Sequence, residues 1–220
     1  MPGLTVRPPD HAAFVLAATQ VTTVPMVPEI KLRLGEDAIG IWERTETELG
    51  QPDQQPPFWA FAWAGGQALA RYLLDHRAAC ADRSVLDLGS GSGLTAIAAA
   101  ITGATAVLAS ELDPFAIAAI GLNAQLNDVL VATTGDVLDG DGQPADIVLA
   151  ADIWYERQLA ARALGLLRRA AARGATVLVG DVGRAFLPHQ ALREVASYDI
   201  PVLADLENAA VKHARILTLR

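Results

Sequence analysis

The segment Val85-Leu86-Asp87-Leu88-Gly89-Ser90-Gly91-Ser92-Gly93 restricts this chain more than any other. An apolar run stops in a glycine turn, and the alanine-rich stretch 94–102 follows at once. The pattern is a strand, a tight turn and a helix in succession. Glycines at 89, 91 and 93 allow positive φ and place no Cβ in the way, so a ligand can lie against the backbone. A dinucleotide fingerprint needs G-x-G-x-x-G, with a pyrophosphate on the helix N-terminus. Here the spacing is G-x-G-x-G, and Leu94 stands where the third glycine belongs. Asp87, two residues before the first glycine, would repel a pyrophosphate and suit a cationic ligand.

Beyond residue 83 short apolar runs alternate with helical stretches. Strands are expected at Val85–Leu88, Ala106–Ser110, Val129–Thr133, Ile147–Ala150 and Thr176–Val179, and helices at about 94–102, 114–126, 156–172 and 186–196. Strand and helix at this interval imply a parallel sheet with helices on both faces. The pattern then changes. Ile200–Leu206 and Val211–Leu219 flank Glu207–Ala210 with no helix between, which predicts a C-terminal antiparallel hairpin. The expected fold is therefore α/β, Rossmann-like and mostly parallel, closed by that hairpin. Ahead of the first strand, Ala64–Arg77 reads as an amphipathic helix, with Ala68, Leu69, Tyr72 and Leu73 on one face. In residues 1–57 prolines interrupt every pattern. Ile30–Leu34 and Ile39–Trp42 read as short strands about a turn at Gly35–Asp37, and Gln51–Pro57 as a linker-like loop. One domain over 1–220 is expected, with 1–57 an N-terminal extension and 58–220 the catalytic core.

No apolar run approaches the roughly 18 residues of a membrane span, and Met1–Asp10 lacks the basic and apolar regions of a secretory signal. A cytoplasmic monomer without membrane contact is expected. The single Cys80 cannot form an internal disulfide, and no Cys/His spacing suggests a metal. The net charge is −8, and no basic cluster exceeds Arg168-Arg169, which speaks against nucleic acid. An acidic balance suits a basic protein partner, or serves solubility alone.

Residues at the carboxyl ends of the strands carry the chemistry. Glu111, 22 residues after Gly89, suits the two hydroxyls of a ribose. Asp113 competes for that role, or caps the helix begun by Pro114. Asp136 follows the third strand beside Gly135, as a ligand contact or a turn residue. Asp152 and Tyr155 follow the fourth strand, at a reaction centre or as a helix cap and a core residue. The aromatics Phe58, Trp59, Phe61 and Trp63 suit a stacked base or a cation, or simply fill a gap. Trp42 and Trp154 are assigned to packing, and the four histidines to the surface.

The turn D-x-G-x-G-x-G resembles the first motif of the S-adenosylmethionine methyltransferases. Four further blocks narrow the likeness: PFWAFAWAGGQALARYLL over 57–74, Glu111-Leu112-Asp113-Pro114, Asp152-Ile153-Trp154-Tyr155-Glu156, and Val179-Gly180-Asp181-Val182-Gly183-Arg184. Together they resemble the electron transfer flavoprotein β-subunit lysine methyltransferase family in a bacterial form, from about residue 25 onward. Trp154 replaces the family's Phe or Tyr, and Val182 its usual Pro. The resemblance implies a class I methyltransferase sheet, S-adenosylmethionine as cofactor and a protein lysine as acceptor, with the electron transfer flavoprotein β-subunit as substrate. It implies that Trp63 lies against the cofactor, that Gly89 and Gly91 hold its methionine and ribose parts and that Glu111 binds the ribose hydroxyls, with Asp87 also in the cofactor-binding set. Asp136 with Val137 would hold the adenine, and Ala151 with Asp152 would border the methyl. Asp152 and Tyr155 would meet the lysine. The alternatives are a lysine of a ribosomal protein, as in L11 methyltransferases, or a small molecule.

Overall fold

Along the strand Ser84–Leu88, side chains alternate between two cores. Val85 packs with one buried cluster, and Leu86 and Leu88 pack with the other, as the period of two requires. The structure, a computed structural model, describes residues 10–49, 55–140, 144–202 and 209–220. The N-terminal part holds α1 (His11–Ala18), β1 (Gln20–Val24), β2 (Val27–Leu34) and α2 (Ala38–Leu49). Next come α3 (Ala64–Asp75), β3 (Ser84–Leu88), α4 (Leu94–Ile101), β4 (Ala106–Ser110), α5 (Pro114–Leu126) and β5 (Ala132–Thr134). The chain continues through β6 (Ile147–Ala151), α6 (Arg157–Ala172), β7 (Thr176–Asp181), β8 (Leu192–Pro201) and β9 (Val211–Leu219).

Seven strands form one sheet in the order β5-β4-β3-β6-β7-β9-β8. The first five are parallel, and β9 runs antiparallel to both β7 and β8. Helices cover both faces. Leu69, Ile97 and Ile120 of α3, α4 and α5 share one core, and Ala163, Leu166 and Leu167 of α6 lie in the other. The expected sheet with its terminal hairpin is thus present. Strand order reverses at β3, whose neighbours are β4 on one side and β6 on the other. That switch point opens a crevice beyond the carboxyl ends of β3 and β6.

Several expectations are corrected. Residues 186–196 do not form a helix: Pro188 precedes a single 3₁₀ turn at His189–Ala191, and β8 begins at Leu192. The third strand is only Ala132–Thr134, because it pairs with β4 over three residues alone. Ile39–Trp42 is not a strand but the start of α2, since Asp37 Oδ1 accepts the Ile39 and Gly40 N–H groups, each at 3.1 Å. Trp42 is 38% exposed rather than packed away, whereas Trp154 is fully buried. Parts of the linker reading (51–54) and of the hairpin reading (203–208) lie outside the described residues, as do residues 1–9.

The β1–β2 hairpin is fastened to the main body. Val24, Val27, Ile30 and Leu32 are fully buried in the core of α3 and α4. The outer edge of β2 pairs with side-chain amides of α5 and its end. Asn123 Oδ1 accepts Arg33 N–H at 2.7 Å and Asn127 Oδ1 accepts Lys31 N–H at 2.9 Å. Those bonds cover backbone groups that an edge strand would leave open. Asn123 Nδ2 also donates to Ser92 O at 2.8 Å, which ties the hairpin to the glycine turn. Among the described residues no helix is long and apolar enough to cross a membrane.

Candidate active site

Beyond the carboxyl ends of β3, β4 and β6 lies a cavity of about 590 Å³, within the usual range of ligand sites. Trp63, Gly89, Gly91, Glu111, Asp136, Ala151, Asp152 and Tyr155 all line it. Two expected residues do not. Asp87 lies beneath the turn, 1% exposed, where Oδ2 accepts the hydroxyls of Ser90 and Thr95. Burial pushes its pKa up to about 6. It holds the turn from below and does not reach the cavity wall. Val137 packs against the α6 core, and its neighbour Leu138 reaches the cavity.

Gly89 and Gly91 have φ of +59° and +53°, which L side chains adopt only with strain. A Cβ on Gly89 would also lie 2.8 Å from Ile153 Cγ2. The turn therefore presents bare backbone to the cavity. Across from it, Glu111 Oε2 accepts Gly91 N–H at 2.9 Å. Asp113 takes the other role open to it: its side chain accepts Phe115 N–H at 2.8 Å and caps α5. Asp136 lines the opposite end, where Oδ1 accepts Leu138 N–H at 2.9 Å and Arg162 holds Oδ2. Those bonds keep its carboxyl below the usual range.

Asp152 sits 9% exposed at the end of β6, with φ +57°. It does not cap α6, whose N-cap is Glu156. Its carboxylate lies between the start of α3 and the segment after β7. Oδ2 accepts Gly66 N–H at 2.8 Å, and Oδ1 accepts Arg184 Nε and Nη2 at 3.0 and 2.8 Å. Burial pushes its pKa up to about 6; the Arg184 charge opposes the shift and Asp181 adds to it. Tyr155 is 44% exposed at the rim, its ring 5.4 Å from that of Phe58.

The aromatic block divides between both of its readings. Trp59 and Phe61 are buried with Phe14 and Phe115. Phe58 and Trp63 stand at the exposed end, and Trp63 Nε1 donates to Phe58 O at 2.9 Å. Sequence reasoning assigned no role to Gly66 or Arg184. Both lie inside the quoted blocks, yet their function appears only once Asp152 lies between them. Cys80 is buried, and its thiol is pushed up to about 11, which makes it unreactive.

The sequence and the fold both match known proteins. The electron transfer flavoprotein beta subunit lysine methyltransferase of Danio rerio is 36% identical over 207 residues, 90% of this chain and 79% of that protein. The chain belongs to the electron transfer flavoprotein beta subunit lysine methyltransferase family. The family's Mus musculus protein is 37% identical over 208 residues, 91% of this chain and 80% of its own length. Residues 68–156 also match the family model for ribosomal protein L11 methyltransferase (PrmA). That match ends before the segment carrying Arg184. The fold recurs in Pyrococcus abyssi tRNA (uracil-54, C5)-methyltransferase in complex with S-adenosyl-L-homocysteine. There the TM-score is 0.57 at 13% identity, over 92% of this chain and 44% of that one.

Proposed function

We propose that the chain transfers a methyl group from S-adenosylmethionine to a lysine amine of the electron transfer flavoprotein beta subunit. One observation carries the site assignment: a buried carboxylate, Asp152, faces the same cavity as a bare glycine turn. Family membership supplies the substrate class. The residues fit the donor. Gly89 and Gly91 hold the turn at positive φ with bare backbone at the cavity. Glu111 accepts Gly91 N–H on Oε2 and Leu112 and Asp113 N–H on Oε1, and keeps one position on Oε2 for a ribose hydroxyl. Leu138 offers an apolar surface and Asp136 an acceptor for adenine. When bound, S-adenosylmethionine supplies a methyl carbon on a cationic sulfur, which a neutral amine displaces in one step.

The protein's own task is alignment, worth up to about 7–11 kcal/mol in ideal cases. A free lysine has a pKa of about 10.4 and arrives charged. Asp152 receives the ammonium at the cavity wall, and Tyr155 with Phe58, at the rim, sheathes the aliphatic stem. Because a carboxylate favours the charged amine, Asp152 orients the nitrogen, and water at the open rim takes the proton. The β1–β2 hairpin braces the site at a distance, since Asn123 of α5 links Arg33 of β2 to Ser92, whereas Thr45, Gln55, Pro56 and Pro57 line the cavity themselves.

Purified protein, labelled S-adenosylmethionine and purified electron transfer flavoprotein test the reading. Label in the beta subunit, mapped to lysine by mass spectrometry, is the expected result. Label in a ribosomal protein of a cell extract, with none in the flavoprotein, would replace the substrate.

A further inference from the structure

Asp152 has three of its acceptor positions filled among the described residues. Arg184 places two N–H groups on Oδ1, and Gly66 places one on Oδ2. A carboxylate offers about four lone-pair sites. The site left open is therefore on Oδ2, beside the N-terminus of α3.

The guanidinium on Oδ1 is itself braced. Asp181, fully buried at the end of β7, accepts Gly183 N–H at 2.6 Å and Arg184 N–H at 2.8 Å through Oδ1. Gly183 has φ +92°, so the chain turns back sharply and aims Arg184 at Asp152. The Trp63 ring lies 5.6 Å from the guanidinium carbon, within the range of a cation–π contact. A Cβ at Gly180 would come within 2.9 Å of Leu69 Cβ, so β7 and α3 are pressed together at this level. The pair is thus held from two elements and one ring face.

We propose that Arg184 is a positioning residue for methyl transfer: it occupies Oδ1, fixes the plane of the Asp152 carboxylate, and leaves Oδ2 as the acceptor for the target amine. This rests on the methyl-transfer reading given above. Arg184 also keeps Asp152 ionised. The charged groups facing that carboxylate are Arg184, from the segment after β7, and Asp181, from the end of β7; α3 contributes the Gly66 N–H. Burial and Asp181 push Asp152 toward its neutral form, and Arg184 is the cation that opposes them.

The test is a ¹³C NMR titration of the Asp152 carboxyl in the unliganded protein, assigned with Asp152→Asn. In Arg184→Gln the midpoint should rise by about one pH unit or more, the usual effect of losing a close opposite charge, and Arg184→Lys should recover part of it. Methyl transfer by Arg184→Gln at pH 7 should fall at least about tenfold in kcat and regain part of the loss at higher pH, as the carboxyl ionises. KM for S-adenosylmethionine should move far less. A merely structural role would leave the midpoint in place, and an unchanged midpoint in Arg184→Gln overturns the proposal. If that variant does not fold, the ¹⁵Nε resonance of Arg184 in the unmutated protein decides. It should shift through the Asp152 midpoint, and a flat response overturns the proposal. Failure of the unmutated protein to methylate the flavoprotein would instead remove the functional reading, which the titration does not depend on.

Discussion

Glu111 and Gly91 are joined by a hydrogen bond of 2.9 Å that ties the end of β4 to the turn after β3. The other oxygen, Oε1, accepts Leu112 N–H at 2.8 Å. The carboxylate therefore sets the height of the glycine backbone while remaining at the cavity wall. Asp113, two residues on, is spent on the helix cap.

Glu111→Ala should accordingly weaken S-adenosylmethionine, because charge-assisted bonds of about 1.5–3 kcal/mol are lost. Isothermal calorimetry should show a Kd at least about tenfold higher. Asp113→Ala should show the complement: about 1 kcal/mol less stability from the lost cap, with little change in affinity. The reverse pattern would transfer the ribose role to Asp113.

Asp87 should make stability depend on pH. Its folded-state pKa of about 6 lies above the ordinary 3.8, so the folded protein holds this proton more tightly. That contribution is fully present below about pH 4 and is lost as the pH rises through about 6. Asp87→Asn cannot titrate, yet its amide oxygen can still accept from Ser90 and Thr95. Relative to the unmutated protein, the variant should gain stability between pH 4 and pH 8, by an amount on the order of 2–3 kcal/mol. Urea unfolding at the two pH values measures it. Parallel pH curves for the two proteins would show that Asp87 does not titrate in this range.

Adjacent glycines should behave differently. A Cβ on Gly65 would lie 2.5 Å from the Gly180 carbonyl oxygen and 2.7 Å from Asp152 Oδ2. The first of these is backbone and cannot swing aside. Gly65→Ala should cost about 1–3 kcal/mol, the scale of overpacking, and displace the Asp152 carboxylate. A Cβ on Gly66 meets only Ala151 and Leu94 atoms, at 4.0 Å. Gly66→Ala should hold or raise the melting temperature, since alanine is the better helix former. Thermal melts of both variants check the contrast. Equal losses would place the strain elsewhere.

The parallel core was legible because buried strands and amphipathic helices each print a period. The errors lie where a local signal was overridden or diluted. Ile39-Gly40-Ile41-Trp42 has strand-like composition, but the Asp37 cap nucleates a helix there, and that aspartate was a readable sign. In β8 the alternation is visible only over Ala196, Tyr198 and Ile200, because a register shift between Glu194 and Ala196 breaks it earlier. Glu111, Asp152 and the glycines were found because strand ends in such sheets converge on one crevice. That Asp87 and Val137 lie off the cavity wall turns on side-chain direction, which spacing does not carry. Arg184 was hidden for another reason: its partner is 32 residues away and meets it only through the pairing of β6 with β7.

Asp152→Asn is the decisive substitution for the chemistry. The backbone there has φ +57°, a conformation that asparagine tolerates better than most residues. The side chains are nearly isosteric, so the fold should persist. The charge that receives the ammonium is removed, however, and one oxygen acceptor becomes an N–H₂ donor. If that donor faces Arg184, two donors oppose each other; if it faces Gly66, the helix N-terminus loses its acceptor and Oδ2 is gone from the amine site. Either orientation damages alignment, which is a transition-state contribution and falls on kcat more than on cofactor binding. Methylation of the flavoprotein beta subunit should fall about 10²-fold or more, the scale of lost positioning or proton handling. S-adenosylmethionine affinity by calorimetry should stay within a few fold. Near-normal turnover would remove Asp152 from the reaction and leave it as a clasp between α3 and the segment after β7.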